Sequence, residues 1–353
     1  MLARSLISAA VRRPIKLWRL VRAARRRDKS SRQVLKALQV ATPLLTHAAD
    51  VVYLGWLDLA RRCIDAMPLP DAPVVVTCHG SDLRIDPLAG EQQRAQIREV
   101  FERVDLVHCV SDDLRGHALA LGLDPAKALV CPFGIDTIFF RPAPRPLDRQ
   151  SGRSDENQQH ELRVVSVGRL HWVKGYEYAL QALPEVQRAG VMVSYSILGK
   201  DDGGRLGVLT AMRDLELEGC VTVGGASSRT EVLEALRSAD VFLLSSVSEG
   251  LNTATLEAMA VGLPVVVTDV GGMGEAVTDG VDGLVVPSRD PKAIANALLA
   301  LDEDRERRRH MGVQGRRRVD ADFNITTFAR TMHDEYQRLV DEKARRLPAR
   351  SRR

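Results

Sequence analysis

Short β-branched apolar runs alternate with helical segments along most of the chain. In the first half the runs fall at Asp50–Trp56, Val74–His79, Leu106–Ser111 and Ala128–Gly134. In the second half they fall at Leu162–Arg169, Val193–Lys200, Val221–Gly225, Val241–Ser246, Pro264–Asp269 and Gly283–Pro287. Apolar residues recur at helical spacing in Tyr176–Arg188, Arg205–Leu217, Thr230–Ser238 and Thr253–Val261. Continuous apolar strands set between helices are parallel strands covered on both faces. Each half therefore predicts a doubly wound α/β domain. Pro291–Arg318 reads as charged helix. Ile325–Val340 carries Phe328, Met332, Tyr336 and Leu339 at helical spacing and predicts a final packed helix.

At 353 residues the chain is too long for one ordinary core, which argues for two domains. The segment RPAPRPLDRQSGRSDENQQHE, residues 141–161, is nearly free of apolar side chains and reads as the linker. The expected division is a first domain over 1–145, a linker over 146–161, a second domain over 162–325, and a C-terminal helix with a basic tail over 326–353. One feature departs from the pattern. A doubly wound domain opens with a strand and a Gly-rich turn, but this chain opens with basic, helical sequence. The first domain is accordingly expected to lack its opening strand and Gly-rich loop.

Charge is distributed unevenly. Residues 1–33 hold eleven Arg or Lys against one acid, Asp28, and residues 343–353 hold six basic residues and no acid. The basic start, with interspersed Leu, Ile, Val and Trp18, fits either a solvated helix or one lying on an anionic membrane surface. Neither end interleaves aromatics for base stacking, so no nucleic-acid partner is expected. The longest apolar runs fall well short of the ~18 residues of a membrane span. The five cysteines are scattered and form no C-x-x-C pair, which argues for a reducing compartment and against a zinc site.

The candidate chemistry centres on SEGLNTATLEAMAVGLPVVVTD, residues 248–269. Strand VFLLSS leads into a loop. Asn252 or Thr253 can cap a helix running to about Val261, and Gly262 and Pro264 end it. The helix N-terminus at a strand's carboxyl edge is an anion site, built from Gly250, Leu251, Asn252 and Thr253. A phosphate there leaves Glu249 and Glu257 as acceptors for hydroxyls: a sugar on one side and a ribose on the other. Taken alone, both acids also fit a solvated surface. A second junction, SVGRLHWVKGYEYAL (residues 166–180), places Arg169 and Lys174 where a strand meets a helix, suited to a diphosphate.

These motifs resemble the retaining glycosyltransferases of family 4, also called group 1 glycosyltransferases. Glu249 and Glu257 match the family's two glutamates separated by seven residues, and Arg169 and Lys174 match its phosphate-binding pair. GGMGEAVTDGVDGLVVPSRD, VVVTCHGSD and CPFGIDTIFFRP match further landmarks. The resemblance covers roughly residues 50–340. It implies the GT-B fold: two doubly wound Rossmann-like domains facing a cleft, the first binding acceptor and the second binding donor. It implies transfer from a UDP- or GDP-sugar to a glycan or lipid-linked acceptor, with retained anomeric configuration and with neither metal nor cofactor. Arg169, Lys174 and the amides of Gly250–Thr253 would stabilise the leaving diphosphate, Glu257 would bind ribose, and Glu249 would face the sugar. His79, in the CHGSD loop, matches a first-domain histidine beside the transferred group, so His79 and Glu249 are the expected catalytic residues. The expected setting is the cytoplasm, with peripheral contact at the inner face of the membrane through the basic ends. Two other readings stay open: a sugar-nucleotide 2-epimerase of the same architecture, and a catalytically impaired nucleotide-sugar-binding fragment.

Overall fold

A computed structural model describes residues 14–26, 38, 39, 42, 47–65, 67, 71–143 and 161–346. The predicted alternation is present. In the first half the order is α1 (Pro14–Arg26), β1 (Val52–Leu54), α2 (Leu57–Cys63), β2 (Val74–Cys78), α3 (Gly80–Arg84), α4 (Glu91–Arg103), β3 (Leu106–Cys109), α5 (Asp112–Ala120) and β4 (Ala128–Val130). In the second half come β5 (Glu161–Val167), α6 (Tyr176–Arg188), β6 (Met192–Leu198), α7 (Arg205–Asp214), β7 (Val221–Val223), α8 (Arg229–Ser238) and β8 (Val241–Leu244). They are followed by α9 (Thr253–Ala260), β9 (Val265–Thr268), α10 (Met273–Ala276), β10 (Gly283–Val286), α11 (Pro291–Glu303), α12 (Arg305–Asp322) and α13 (Ile325–Arg346).

The chain divides into two compact units, Met1–Pro132 with Ala329–Arg353, and Phe133–Phe328. The expected boundaries lie elsewhere, at 145/146 and 161/162. The division falls directly after β4, not within 146–161, and the greater part of α13 groups with the first unit. The reason is packing. Leu339 of α13 is buried against Val75 of β2 and Leu106 of β3. Residues 133–143 are bonded into the second unit: Arg316 donates to the carbonyls of Thr137 and Phe140, and Arg237 to that of Arg141. Of the expected linker, residues 146–160 lie outside the described residues, and Glu161 already belongs to β5. The charged helical stretch from Pro291 forms two helices. Asp304 breaks it and caps α12, its Oδ1 accepting from the amide of Arg307 at 2.8 Å.

Both sheets are wholly parallel. The first has the order β1-β2-β3-β4, and among the described residues no strand precedes β1. The second has the order β10-β9-β8-β5-β6-β7. Counted within its own unit this is the doubly wound order, which winds outward from β5 in both directions. Strands β2, β3, β8 and β9 are buried at every residue, as strands covered on both faces must be. The second unit's core gathers Leu162, Ile197 and Leu243 from one face of the sheet with Leu180 and Leu183 of α6 and Leu298 of α11.

Candidate active site

Strand order in the second sheet reverses between β5 and β8, and the reversal point of an open parallel sheet is where α/β proteins bind ligands. Both motifs singled out in the sequence sit on the loops leaving these two strands. The loop after β5 makes a 3-10 turn over Trp172–Lys174 and then starts α6 at Gly175, whose φ is +58°. A side chain there would collide with the Ser245 carbonyl oxygen at the end of β8, so glycine is required twice over, by conformation and by space. Two hydrogen bonds join the loops: Ser245 Oγ to the Lys174 carbonyl (3.0 Å) and the Val247 amide to the Val173 carbonyl (2.9 Å).

This docking brings Lys174 to Glu249. Lys174 Nζ lies 2.6 Å from Glu249 Oε1, and the two side chains are only 12% and 11% exposed. The same oxygen accepts from Ser246 Oγ at 2.7 Å and from Asn252 Nδ2 at 3.1 Å. Asn252 is also the cap of α9, its Oδ1 accepting from the Thr255 amide at 2.9 Å. Of the two capping candidates, then, Asn252 does the work, and Thr253 is the exposed first residue of the helix. Gly250 and Leu251 are buried beneath it. A third loop supports the arrangement from below. The Gly272 amide donates to the Gly250 carbonyl at 2.8 Å, and Gly271, at φ +59°, lies so close to the Glu249 carbonyl that no Cβ fits. The GGMG turn thus serves as a seat for the glutamate loop.

Glu257 lies on α9, half buried. Burial pushes its carboxyl up to about 7, and the guanidinium of Arg229 pulls in the opposite direction. Arg229 is itself fixed by Asp136 at 3.2 Å and by the rings of Phe139 and Phe140, at 4.1 and 5.0 Å from their centroids. Arg169 is placed differently from Lys174. Its guanidinium pairs with Asp202, on the loop after β6, and both side chains are largely exposed.

His79 stands on the first unit, at the carboxyl end of β2. Its Nε2 is 3.0 Å from the Gly55 carbonyl, an acceptor only, so Nε2 carries the proton. The ring stacks on Trp56 with centroids 4.0 Å apart, and its amide donates to Asp82 Oδ2 at 2.9 Å. Of the residues expected to form a site, the structure gathers Lys174, Glu249, Gly250, Leu251, Asn252 and Thr253 at the reversal point. Glu257 follows along α9, Arg169 is paired to Asp202, and His79 is on the other unit.

Several participants had not been picked out from the sequence. Ser246 carried a signal, being a hydroxyl at the end of the apolar run VFLLSS. Trp56 carried a weaker one, an aromatic just past a strand. Arg229 and Asp202 carried none, because only the fold brings them to Glu257 and Arg169. Among the described residues no cluster of three or more His, Cys, Asp or Glu is placed to hold a metal ion, and no helix is long and apolar enough to cross a membrane.

A lysine–carboxylate pair and a capped helix N-terminus thus meet at the reversal point of a doubly wound α/β sheet. The profile of the group 1 glycosyl transferases matches residues 148–318, and that of glycosyltransferase family 4 matches residues 3–139. The chain belongs to this family, is a glycosyltransferase, and has the GT-B fold of two Rossmann-like units. It is 29% identical over 333 residues to the colanic acid biosynthesis glycosyltransferase WcaL of Escherichia coli K12, covering 91% of this chain and 78% of that one. It is 30% identical over 276 residues to the GDP-mannose-dependent α-(1-6)-phosphatidylinositol monomannoside mannosyltransferase of Mycobacterium tuberculosis, covering 74% and 68%. Among solved structures it resembles the sucrose-phosphate synthase of Thermosynechococcus elongatus, with TM-score 0.77, 21% identity, and coverage of 88% and 80%. It also resembles Anabaena HepE in complex with UDP-glucose, with TM-score 0.73, 20% identity, and coverage of 85% and 82%.

Proposed function

We propose that this glycosyltransferase moves a sugar from a UDP- or GDP-sugar to a glycan or lipid-linked acceptor with retention of anomeric configuration, and without a metal ion. The observation that carries the reading is the Lys174–Glu249 contact at the reversal point, flanked by the capped N-terminus of α9. Transfer breaks the bond between the anomeric carbon and the diphosphate oxygen and forms one to an acceptor hydroxyl. Negative charge then develops on the departing diphosphate. Lys174, Arg169 and the opening amides of α9 supply positive potential for it, the two cations being held meanwhile by Glu249 and Asp202. Glu249, held by Lys174, Ser246 and Asn252, is oriented to accept from sugar hydroxyls, and Glu257 from the ribose. His79, on the first unit, is the other residue assigned to catalysis. No side chain is assigned as a covalent nucleophile.

The names of the relatives point the same way, one being dependent on GDP-mannose and another serving colanic acid biosynthesis. The test is a thermal-shift screen of UDP- and GDP-sugars on the native chain, Glu257→Ala and Arg169→Ala. A stabilising donor whose effect both variants weaken is the expected result. If no donor stabilises the native chain, or if both variants respond as it does, the site is misassigned. The anomeric configuration of the product, read by NMR coupling constants, tests retention.

A further inference from the structure

The basic ends of the chain are about three hundred residues apart in sequence, yet both are tied to one turn of the first unit. Lys16 of α1 donates to Asp71 Oδ1 at 2.9 Å, and Lys343, in the last turns of α13, donates to the Ala72 carbonyl at 2.7 Å. Lys343 also lies 4.0 Å from Asp105, whose carboxylate accepts from the Val74 amide. Asp71, Ala72 and Asp105 all precede strands, so this is the amino edge of the first sheet. His79 is at the opposite edge, across the five residues of β2, about 17 Å away at 3.3 Å per residue.

At 100° per residue, Ile15, Trp18, Arg19 and Arg22 of α1 fall within about 100° of one another. Ile15 and Trp18 are 67% and 58% exposed, and Arg19 and Arg22 are exposed beside them, with the Arg22 guanidinium 5.0 Å from the Trp18 ring. The other side of the helix is the docked one: Leu20 is buried, and Leu17 and Val21 are partly so. Residues 14–26 contain no acid. At the end of α13, Arg345 and Arg346 are exposed as well. Three nearby acids are already engaged by cations, Asp71 by Lys16, Asp105 by Lys343 and Glu342 by Arg338, and exposed Asp341 accepts from Gln337.

We infer that the amino edge of the first sheet is a docking surface for a bilayer bearing anionic phospholipid, with Arg19, Arg22, Arg345 and Arg346 facing the headgroups and Ile15 and Trp18 entering the interface. Two large apolar side chains next to guanidinium groups suit the boundary between headgroup and acyl chain, where each has its own favourable medium. Docking there leaves the carboxyl edge, with His79, turned away from the headgroups. The inference does not rest on the transfer reading, and its test uses no donor.

The full chain is floated with phosphatidylcholine vesicles, with and without phosphatidylglycerol. Binding should require the anionic lipid. Each basic residue near such a surface contributes about fivefold in affinity, so Arg19→Gln/Arg22→Gln and Arg345→Gln/Arg346→Gln should each lower binding by about 25-fold. Ile15→Ser/Trp18→Ser should remove the binding that survives high salt. A control, Arg213→Gln in the second unit, should bind as the native chain does, and unfolding temperatures confirm that the variants are folded. Equal binding to neutral vesicles overturns the inference, as does an effect from one arginine pair only. Salt-sensitive binding to RNA without vesicle binding, or a dimer that Ile15→Ser/Trp18→Ser dissociates, overturns it too.

Discussion

Replacing Lys174 by Met keeps the aliphatic volume and deletes the charge that faces Glu249. The pair is nearly dehydrated, at 12% and 11% exposure, so the change strands a carboxylate in a poorly solvated pocket. Removing one partner of such a pair costs about 3–5 kcal/mol. Ser246 and Asn252 still donate to the same oxygen, which places the loss at the lower end, about 3 kcal/mol. For a unit of this size each kcal/mol moves the melting temperature by about 2–4 °C, so the second unit should melt roughly 6–12 °C lower. The companion Glu249→Gln strands the lysine instead. The double variant should recover most of either loss, because two neutral groups of similar shape need no counter-charge. The assay is a double-mutant cycle by calorimetry, following the transition of the second unit. A coupling energy below about 0.5 kcal/mol would refute the reasoning, since contacting charges cannot then be interacting.

Three more outcomes can be checked. Glu257 has an ordinary carboxyl value of 4.5 when unfolded and about 7 when folded. Between these values the folded state keeps a proton that the unfolded state has shed. Stability should therefore fall as pH rises from about 4.5 to 7 and level off above, by roughly 3 kcal/mol at most; Glu257→Gln should flatten this slope in pH-resolved melts. Gly271→Ala forces a methyl group against the Glu249 carbonyl at a φ of +59°, which should cost at least about 2 kcal/mol and weaken donor binding. Unchanged donor affinity in that variant would show that the GGMG turn does not seat the glutamate loop. Arg316→Ala removes donors to the carbonyls of Phe140 (2.7 Å), Ala260 (2.6 Å) and Thr137 (3.1 Å), together with its pairing to Asp320. A destabilisation of about 2–4 kcal/mol by urea titration is expected, and a midpoint within error of the native chain would contradict it.

Strand positions were legible because parallel strands buried on both faces leave uninterrupted apolar runs, as at Val74–Cys78 and Val265–Thr268. The helix after Glu249 was legible because its cap, its glycine stop and its proline are local signals. The pairing of Lys174 with Glu249 was not, since the two lie 75 positions apart and meet only through sheet order. Sequence reasoning placed both beside a diphosphate but did not foresee that each would hold the other. The grouping of residues 133–143 with the second unit was hidden for a related reason. A polar, proline-rich stretch looks like a linker, yet residues 133–143 are captured by Arg229, Arg237 and Arg316, and α13 returns to the first unit through Leu339. Such captures depend on long side chains from distant helices, which leave no periodic trace. The family resemblance carried the role of His79, whose stack on Trp56 has no local sequence rule behind it.

The loops at the reversal point are fastened mostly backbone to backbone. Gly175 lies on the Ser245 carbonyl, Gly271 on the Glu249 carbonyl, and amide–carbonyl bonds link 247 to 173 and 272 to 250. A scaffold clamped this way is indifferent to the identity of many side chains it displays. Exposed Thr253 and half-buried Ser248 can change without loosening the frame, whereas the glycines cannot. Evolvability and rigidity are therefore separated along the same few residues. A mutational scan should find a sharp alternation there, with intolerant glycines beside permissive neighbours, and laboratory evolution of a new donor preference has its natural starting point among the latter.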